Sequence, residues 1–234
     1  MKNIVITGGS SGIGFELTKL LFDEGFNVVA VSRNITKNKD LKKLGGKNLF
    51  LIDADLSVQS EIEKVYEVTK KNLGKIDVLV NNAGRGVYAP IEQETPEQIR
   101  KIIDLNLFGL IYLTNIFSGD IIESKGTIVN IASVAGRKGF AGLSTYCATK
   151  WGVVGFSESL RDELCAKGVR VITVEPGLVD TNWGEKLPDA FINYKKSVDM
   201  LTPTDVANTI LFAIKQPPHV SLNEILIRPT NQPR

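Results

Sequence analysis

Short apolar runs alternate along this chain with longer stretches in which apolar residues recur every three or four positions. The short runs predict strands at 3–7, 27–32, 48–53, 76–81, 126–132, 169–175 and 223–228. The longer stretches predict helices at 13–24, 58–72, 96–117, 146–166 and 203–215. Strand followed by helix, again and again, points to parallel βαβ units joined by right-handed crossovers. The expected fold class is α/β: a doubly wound, mostly seven-stranded parallel sheet with helices on both faces. No repeat, linker or low-complexity tract breaks the alternation, so residues 1–234 read as one domain.

Several boundaries carry their own signals. Ile13, Leu17, Leu20 and Leu21 share one face of the first helix, and Gly25 ends it. Ser57 is expected to cap the next helix, whose core stripe is Val58, Ile62, Val65 and Leu73. Thr95-Pro96-Glu97-Gln98 has the makings of a capping box with Pro at the first helical position. That helix carries Ile99, Ile102, Ile103 and Leu107, with Asn106 and Gly109 inside it. Trp151, Val153, Val154, Phe156 and Leu160 surround helix 146–166, as in a helix that is deeply buried or also an interface. Residues 182–200, with Trp183, Leu187, Phe191 and Tyr194, read as a segment that closes over a site.

Composition narrows the options. A chain of 234 residues, 43% hydrophobic, can build one good core. A net charge of +2 gives no reason to expect a nucleic-acid or anionic membrane partner. No uninterrupted run of about 18 apolar residues predicts a spanning helix. The start turns into a glycine loop too soon for a signal peptide. Cys147 and Cys165 share a predicted helix, roughly 27 Å apart at 1.5 Å per residue and beyond disulfide reach. A reduced, cytoplasmic setting follows. One histidine, His219, and two distant cysteines predict no metal site.

The chemistry concentrates in Tyr146-Cys147-Ala148-Thr149-Lys150. Phenol and amine four apart share a helix face, about 5–6 Å apart at Cβ. An ammonium that close is expected to favour the phenolate and lower the Tyr146 pKa, easing proton transfer near neutrality. Ser133 lies 13 residues upstream, at the end of an apolar strand, where its hydroxyl can hold a substrate oxygen. Tyr66-Glu67-Val68-Thr69-Lys70 repeats the spacing, but Asp53 stands 13 residues before it, so it reads as a decoy. At the N-terminus, strand Ile4-Val5-Ile6 runs into Thr7-Gly8-Gly9-Ser10-Ser11-Gly12-Ile13-Gly14 and a helix. That arrangement lets backbone N–H groups and the helix N-terminus face a pyrophosphate.

Together with Asn81-Asn82-Ala83-Gly84, Asn106 and Pro176-Gly177, these residues resemble the short-chain dehydrogenase/reductase family over nearly the whole chain. The resemblance implies a Rossmann-like fold and a dinucleotide cofactor. It implies that Gly8, Ser10, Ser11, Gly12, Ile13 and Gly14 form the phosphate turn, and that Asp55 and Leu56 border the adenine, with Asp53 a competitor for that place. Asn82, Ala83 and Gly84 would flank the ribose and nicotinamide. Pro176, Gly177, Val179 and Thr181 would place the nicotinamide, its carboxamide and the phosphates. Asn81 would steady the sheet. Strand two ends in Ser32-Arg33, where NAD-preferring enzymes usually carry a carboxylate. A serine does not repel a 2′-phosphate and a guanidinium grips one bidentately, so NADP(H) is expected over NAD(H).

The function so implied is NADP(H)-dependent interconversion of a carbonyl and an alcohol, on a small hydroxy acid, aldehyde or ketone. Ser133 and Tyr146 would hold the oxygen, Tyr146 would move the proton, Lys150 would assist and contact the nicotinamide ribose, and Asn106 would hold a relay water. Relatives assemble through helix 146–166 and its neighbour, implying a homodimer or homotetramer. A 3-oxoacyl-(acyl-carrier-protein) reductase is the alternative, although Asn223–Thr230 lacks the Asp-Gly-Gly of a common family ending. Two remote rivals remain. Gly8-Gly9-Ser10-Ser11-Gly12 matches a hydrolase nucleophile elbow with His219 downstream, and a non-catalytic NADP(H) sensor would share the fold.

Overall fold

Val, Ile and Leu fill the strands because both sheet faces are covered. The computed structural model describes residues 2–183 and 187–233. Its strands are β1 (Asn3–Thr7), β2 (Asn27–Ser32), β3 (Leu49–Asp53), β4 (Val78–Asn81), β5 (Thr127–Ile131), β6 (Arg170–Pro176) and β7 (Glu224–Ile227). They form one parallel sheet in the order β3-β2-β1-β4-β5-β6-β7. The chain winds outward in one direction from β1 and in the other from β4. The crevice beyond the carboxyl ends of these two strands is where such sheets bind ligands.

The helices are α1 (Gly12–Asp23), α2 (Lys39–Leu44), α3 (Gln59–Leu73), α4 (Pro96–Ile103), α5 (Leu110–Glu123), α6 (Ser144–Leu164), α7 (Asp189–Lys196) and α8 (Pro203–Lys215). Leu17 and Leu21 of α1 and Ile210 of α8 bury against Ile4, Ile6 and Val28 on one face. Ile62 and Val65 of α3, Phe117 of α5 and Leu160 of α6 bury against Val5, Val29 and Ile128 on the other. Phe117 is fully enclosed; trimming it to alanine would cost about 3–5 kcal/mol through lost transfer and a cavity.

Helix 96–117 is the main departure from expectation. Thr95 and Gln98 do form the capping box. After α4, however, Asp104–Gly109 widens into a π turn before α5 resumes and runs to Glu123. Gly109 sits so close to the Leu56 carbonyl that no Cβ would fit. By length and composition the run Pro96–Glu123 could cross a membrane. Here it is a layer of the domain: Ile102, Leu113, Phe117 and Ile121 are enclosed, and Asp120 pairs with Lys70 of α3 at 2.6 Å.

Two smaller expectations are corrected. Ser57 does not cap α3; its hydroxyl and amide donate to Asp55, at 2.6 and 3.0 Å, and Val58 takes the cap position. Val58 is therefore 43% exposed and lies outside the core stripe. Helices α2 and α7 were not in the periodic pattern. Asn38 makes the first possible by accepting from the Asp40 and Leu41 amides.

Candidate functional site

The loops at the carboxyl ends of β1, β4, β5 and β6 surround a cavity of about 780 Å³. Its floor begins at the glycine turn. Gly8 and Gly12 have φ of +68° and +53°, which other residues rarely adopt. A Cβ on Gly8 would lie 2.8 Å from Asn82 Nδ2, and one on Gly12 would lie 3.1 Å from Thr181 Cγ2. Both glycines thus keep open a cradle that side chains would fill. Thr7 ties the turn to β4: its hydroxyl accepts from the Asn82 and Ala83 amides, each at 2.9 Å. Asn82 Nδ2 donates back to the Thr7 carbonyl at 2.9 Å.

The opposite wall carries Ser133, Tyr146 and Lys150, all of which line the cavity. Ser133 follows β5, and its hydroxyl accepts from the Ala135 amide at 3.1 Å. Gly136 lets this turn lie on α6, since a Cβ there would come within 2.8 Å of the Lys150 carbonyl. Lys150 Nζ, one helical turn from Tyr146, donates to the Ile131 carbonyl at 2.7 Å and lies 5.7 Å from the Tyr146 ring centre.

Here an expectation fails. Burial pushes the Tyr146 phenol up to about 12; the Ser133 hydroxyl pulls it down and Cys147 adds to the rise. Burial also brings Lys150 down to about 8. Desolvation is thus the largest influence on both groups, and it keeps the phenol protonated at neutral pH.

Arg137 clamps the wall. It donates two bonds of 2.7 Å to the buried Glu175 carboxylate and one of 2.6 Å to Glu224. The turn after Ser133 is thereby fixed to β6 immediately before Pro176-Gly177, and to β7. Asn106 lies in the π turn with its carboxamide taken up by others. It accepts from the Arg85 amide at 2.9 Å, and it donates to the Arg85 carbonyl at 2.8 Å and to Thr149 at 3.2 Å. Asn81 joins the buried network of Thr114, Asn130 and Ser157, linking β4, β5, α5 and α6.

Of the residues singled out from sequence, Gly8, Ser11, Gly12, Ile13, Arg33, Asn82, Ala83, Gly84, Ser133, Tyr146, Lys150, Pro176, Gly177, Val179 and Thr181 share the cavity lining. Ser10, Gly14, Ser32, Asp55, Leu56 and Asn106 are not among its lining residues. Gly14 packs on the Gly8 carbonyl, and Leu56 is a core residue. The Ser32 hydroxyl is buried with no hydrogen-bond partner among the described residues. Asp55 is held below the usual carboxylate range: burial opposes this, but the Ser57 bonds outweigh it, with help from Arg33 and Arg85. Asp53 accepts from the Thr36 amide at 2.9 Å and from its hydroxyl.

Of the covering segment 182–200, Gly184, Glu185 and Lys186 lie outside the described residues. Trp183, Phe191 and Tyr194 reach the cavity, joined by Phe140, Leu143, Lys195 and Gln232, which sequence periodicity did not flag. Gln232 Oε1 accepts from the Leu178 amide at 3.0 Å, bringing the C-terminal tail over β6. The decoy Tyr66–Lys70 sits on α3, away from the cavity. Ser10 and His219 lie at opposite ends of the parallel strands. Ser10 follows β1, whereas His219 precedes β7, beside Val220, whose carbonyl accepts from Arg170 at the start of β6. A hydrolase triad cannot form from them.

A family model for short chain dehydrogenases matches residues 2–190. An uncharacterised oxidoreductase of Staphylococcus saprophyticus is 33% identical, covering 99% of this chain and 97% of its own. Among solved structures, the closed form of a serine dehydrogenase complexed with NADP+ matches with a TM-score of 0.91 at 32% identity, over 99% and 96% of the two chains. The serine dehydrogenase of Escherichia coli matches at 0.84 and 31% identity, over 99% of each chain.

Proposed function

The chain belongs to the short-chain dehydrogenase/reductase family, and from that premise we propose that it is an NADP(H)-dependent enzyme interconverting a carbonyl and an alcohol. The observation that carries this reading is one cavity with a glycine cradle at one wall and Ser133, Tyr146 and Lys150 at another. The substrate class that follows is a small hydroxy acid, aldehyde or ketone.

The dinucleotide, when bound, supplies or accepts the hydride. Gly8, Ser11, Gly12 and Ile13 would hold its diphosphate, with Asn82 to Gly84 and Pro176 to Thr181 holding the nicotinamide half. Arg33 is exposed and forms no ion pair among the described residues. It would meet a 2′-phosphate, and the neutral, half-buried Ser32 adds no repulsion. Ser133 and Tyr146 donate to the carbonyl oxygen as negative charge develops there. A phenol held near 12 is fully protonated at pH 7 and so carries the proton that a reduction consumes. Lys150, fixed by Ile131, brings positive charge beside the phenolate that forms. Asn106 acts as a positioning residue for the Gly84–Arg85 turn.

Exposed Ile103, Phe108, Ile111 and Trp151, on and around α4 to α6, support a homodimer or homotetramer. The two free cysteines fit a reducing cytoplasm.

Following NADPH and NADH oxidation over a panel of carbonyl compounds tests the reading. NADPH should serve better, and Arg33→Ala should raise its KM about tenfold while leaving NADH nearly untouched. Full activity of Tyr146→Phe would refute the catalytic assignment.

A further inference from the structure

Tyr146 packs in a cluster of apolar side chains, several of them aromatic. Leu143, Cys147 and Ala135 are buried with it, and Phe140, Trp183 and Tyr88 pack on that cluster. The Trp183 ring centre lies 4.9 Å from that of Tyr146, tilted by 59°. Across the opening, Phe191 of α7 lies 5.5 Å from Tyr88 and 6.2 Å from Tyr194. These separations fall within the range in which aromatic rings attract one another.

The seat of the indole is shaped for it. Trp183 presses on Gly86 so closely that any Cβ at that position would collide with the ring. Gly142, with φ of +77°, leaves the same kind of room for Tyr88, since a Cβ there would lie 2.7 Å from its ring.

A hydroxy-acid substrate would need a cation for its carboxylate. Among the described residues, the charged side chains lining the cavity are Arg33, Lys150, Asp180 and Lys195. Arg33 stands at the end of β2, and the Lys150 amine is bonded to Ile131. Among the described residues that leaves Lys195. An aryl group, by contrast, meets Phe140, Leu143 and Trp183 beside the phenol.

We propose that the substrate bears a flat, apolar group beside its carbonyl, such as an aryl ring, and that Trp183 is the specificity-determining residue stacking on that group. This rests on the carbonyl-reductase reading above and narrows its substrate class away from hydroxy acids.

The test compares kcat/KM with NADPH for 1-phenyl-1,2-propanedione, 2,3-butanedione and acetoacetate. The first two differ by a phenyl for a methyl, and the third carries a carboxylate. The phenyl compound should lead by about tenfold or more, mostly through KM. Trp183→Ala should reduce that lead to about threefold or less, and Trp183→Phe should restore most of it. Thermal melts establish that both variants are folded, and quenching of tryptophan fluorescence by the phenyl compound reads its binding without turnover. A lead for acetoacetate that Lys195→Met abolishes would overturn the proposal while leaving the carbonyl-reductase reading intact. So would a phenyl advantage unchanged in Trp183→Ala. Reduction of none of the three, with NADPH bound, would sink both.

Discussion

Two Tyr-x-x-x-Lys pairs lie on two helices of this protein, and only one faces the cavity. In α3, Lys70 Nζ is 5.9 Å from the Tyr66 ring centre; in α6, Lys150 Nζ is 5.7 Å from that of Tyr146. Spacing alone therefore gives the same local geometry twice. The surroundings differ. Lys70 pairs with Asp120, whose bond raises its pKa, and its side chain is 35% exposed. Tyr66 packs edge-on against Phe117. Lys150 is buried with no carboxylate partner among the described residues, bonded instead to a strand carbonyl, and Tyr146 has Ser133 beside it. A helical spacing brings two groups together; the layer they are buried in decides whether they do chemistry.

That contrast can be broken most forcefully at the phenols. Tyr146→Phe should lower kcat by about 10²–10⁴-fold, the usual worth of a positioned proton donor. Tyr66→Phe should leave kcat within about twofold, because its ring rather than its hydroxyl makes the packing contact. Equal losses in steady-state assays would erase the distinction.

The clamp behind Ser133 comes next. Arg137→Met leaves Glu175, only 1% exposed, as an uncompensated buried carboxylate. Urea denaturation should show a loss of about 3 kcal/mol, the low end for a broken buried pair because Arg137 is itself partly exposed. An unchanged midpoint would mean that water replaces the guanidinium.

The two lysines should also differ in pH dependence. Burial sets the folded-state pKa of Lys150 at about 8, below the unfolded value near 10.4. Between those values the unfolded chain holds more protons, so this group adds stability as pH rises from about 8 to about 10. The stability of the wild type relative to Lys150→Met should climb across that window. Lys70, shifted the other way, should show no such climb against Lys70→Met. Tyr146 contributes the opposite trend, but only above about pH 10. Denaturation curves at pH 7, 8, 9 and 10 would decide it.

The smallest effect is expected at Asp120→Asn. Its partner is a third exposed, so the loss should be about 1 kcal/mol with catalysis intact.

Much of this was legible in the chain. All seven strands lie within one or two residues of their apolar runs, because a parallel sheet covered on both faces demands continuous Val, Ile and Leu. The capping box at Thr95 was equally plain. The π turn was not: the 3.6-residue pattern continues through Asp104–Gly109, and the break reflects the approach of Gly109 to the Leu56 carbonyl, a contact from a distant loop. The site divides the same way. The constellation Ser133, Tyr146 and Lys150 rests on fixed spacings within a strand, a turn and a helix. Phe140, Lys195 and Gln232 come to the cavity from a loop, a short helix and the tail, where no periodicity marks them. The raised phenol was also hidden, since burial is a property of the folded neighbourhood and not of the pentapeptide.

Gly86 sets how much room the indole of Trp183 has. Any larger residue at 86 must push the indole of Trp183 aside, so random mutagenesis at this one codon would vary the room beside the phenol while altering none of Ser133, Tyr146 and Lys150. Libraries built at that codon should change which compounds are accepted well before they abolish turnover, which makes it a natural starting point for directed evolution.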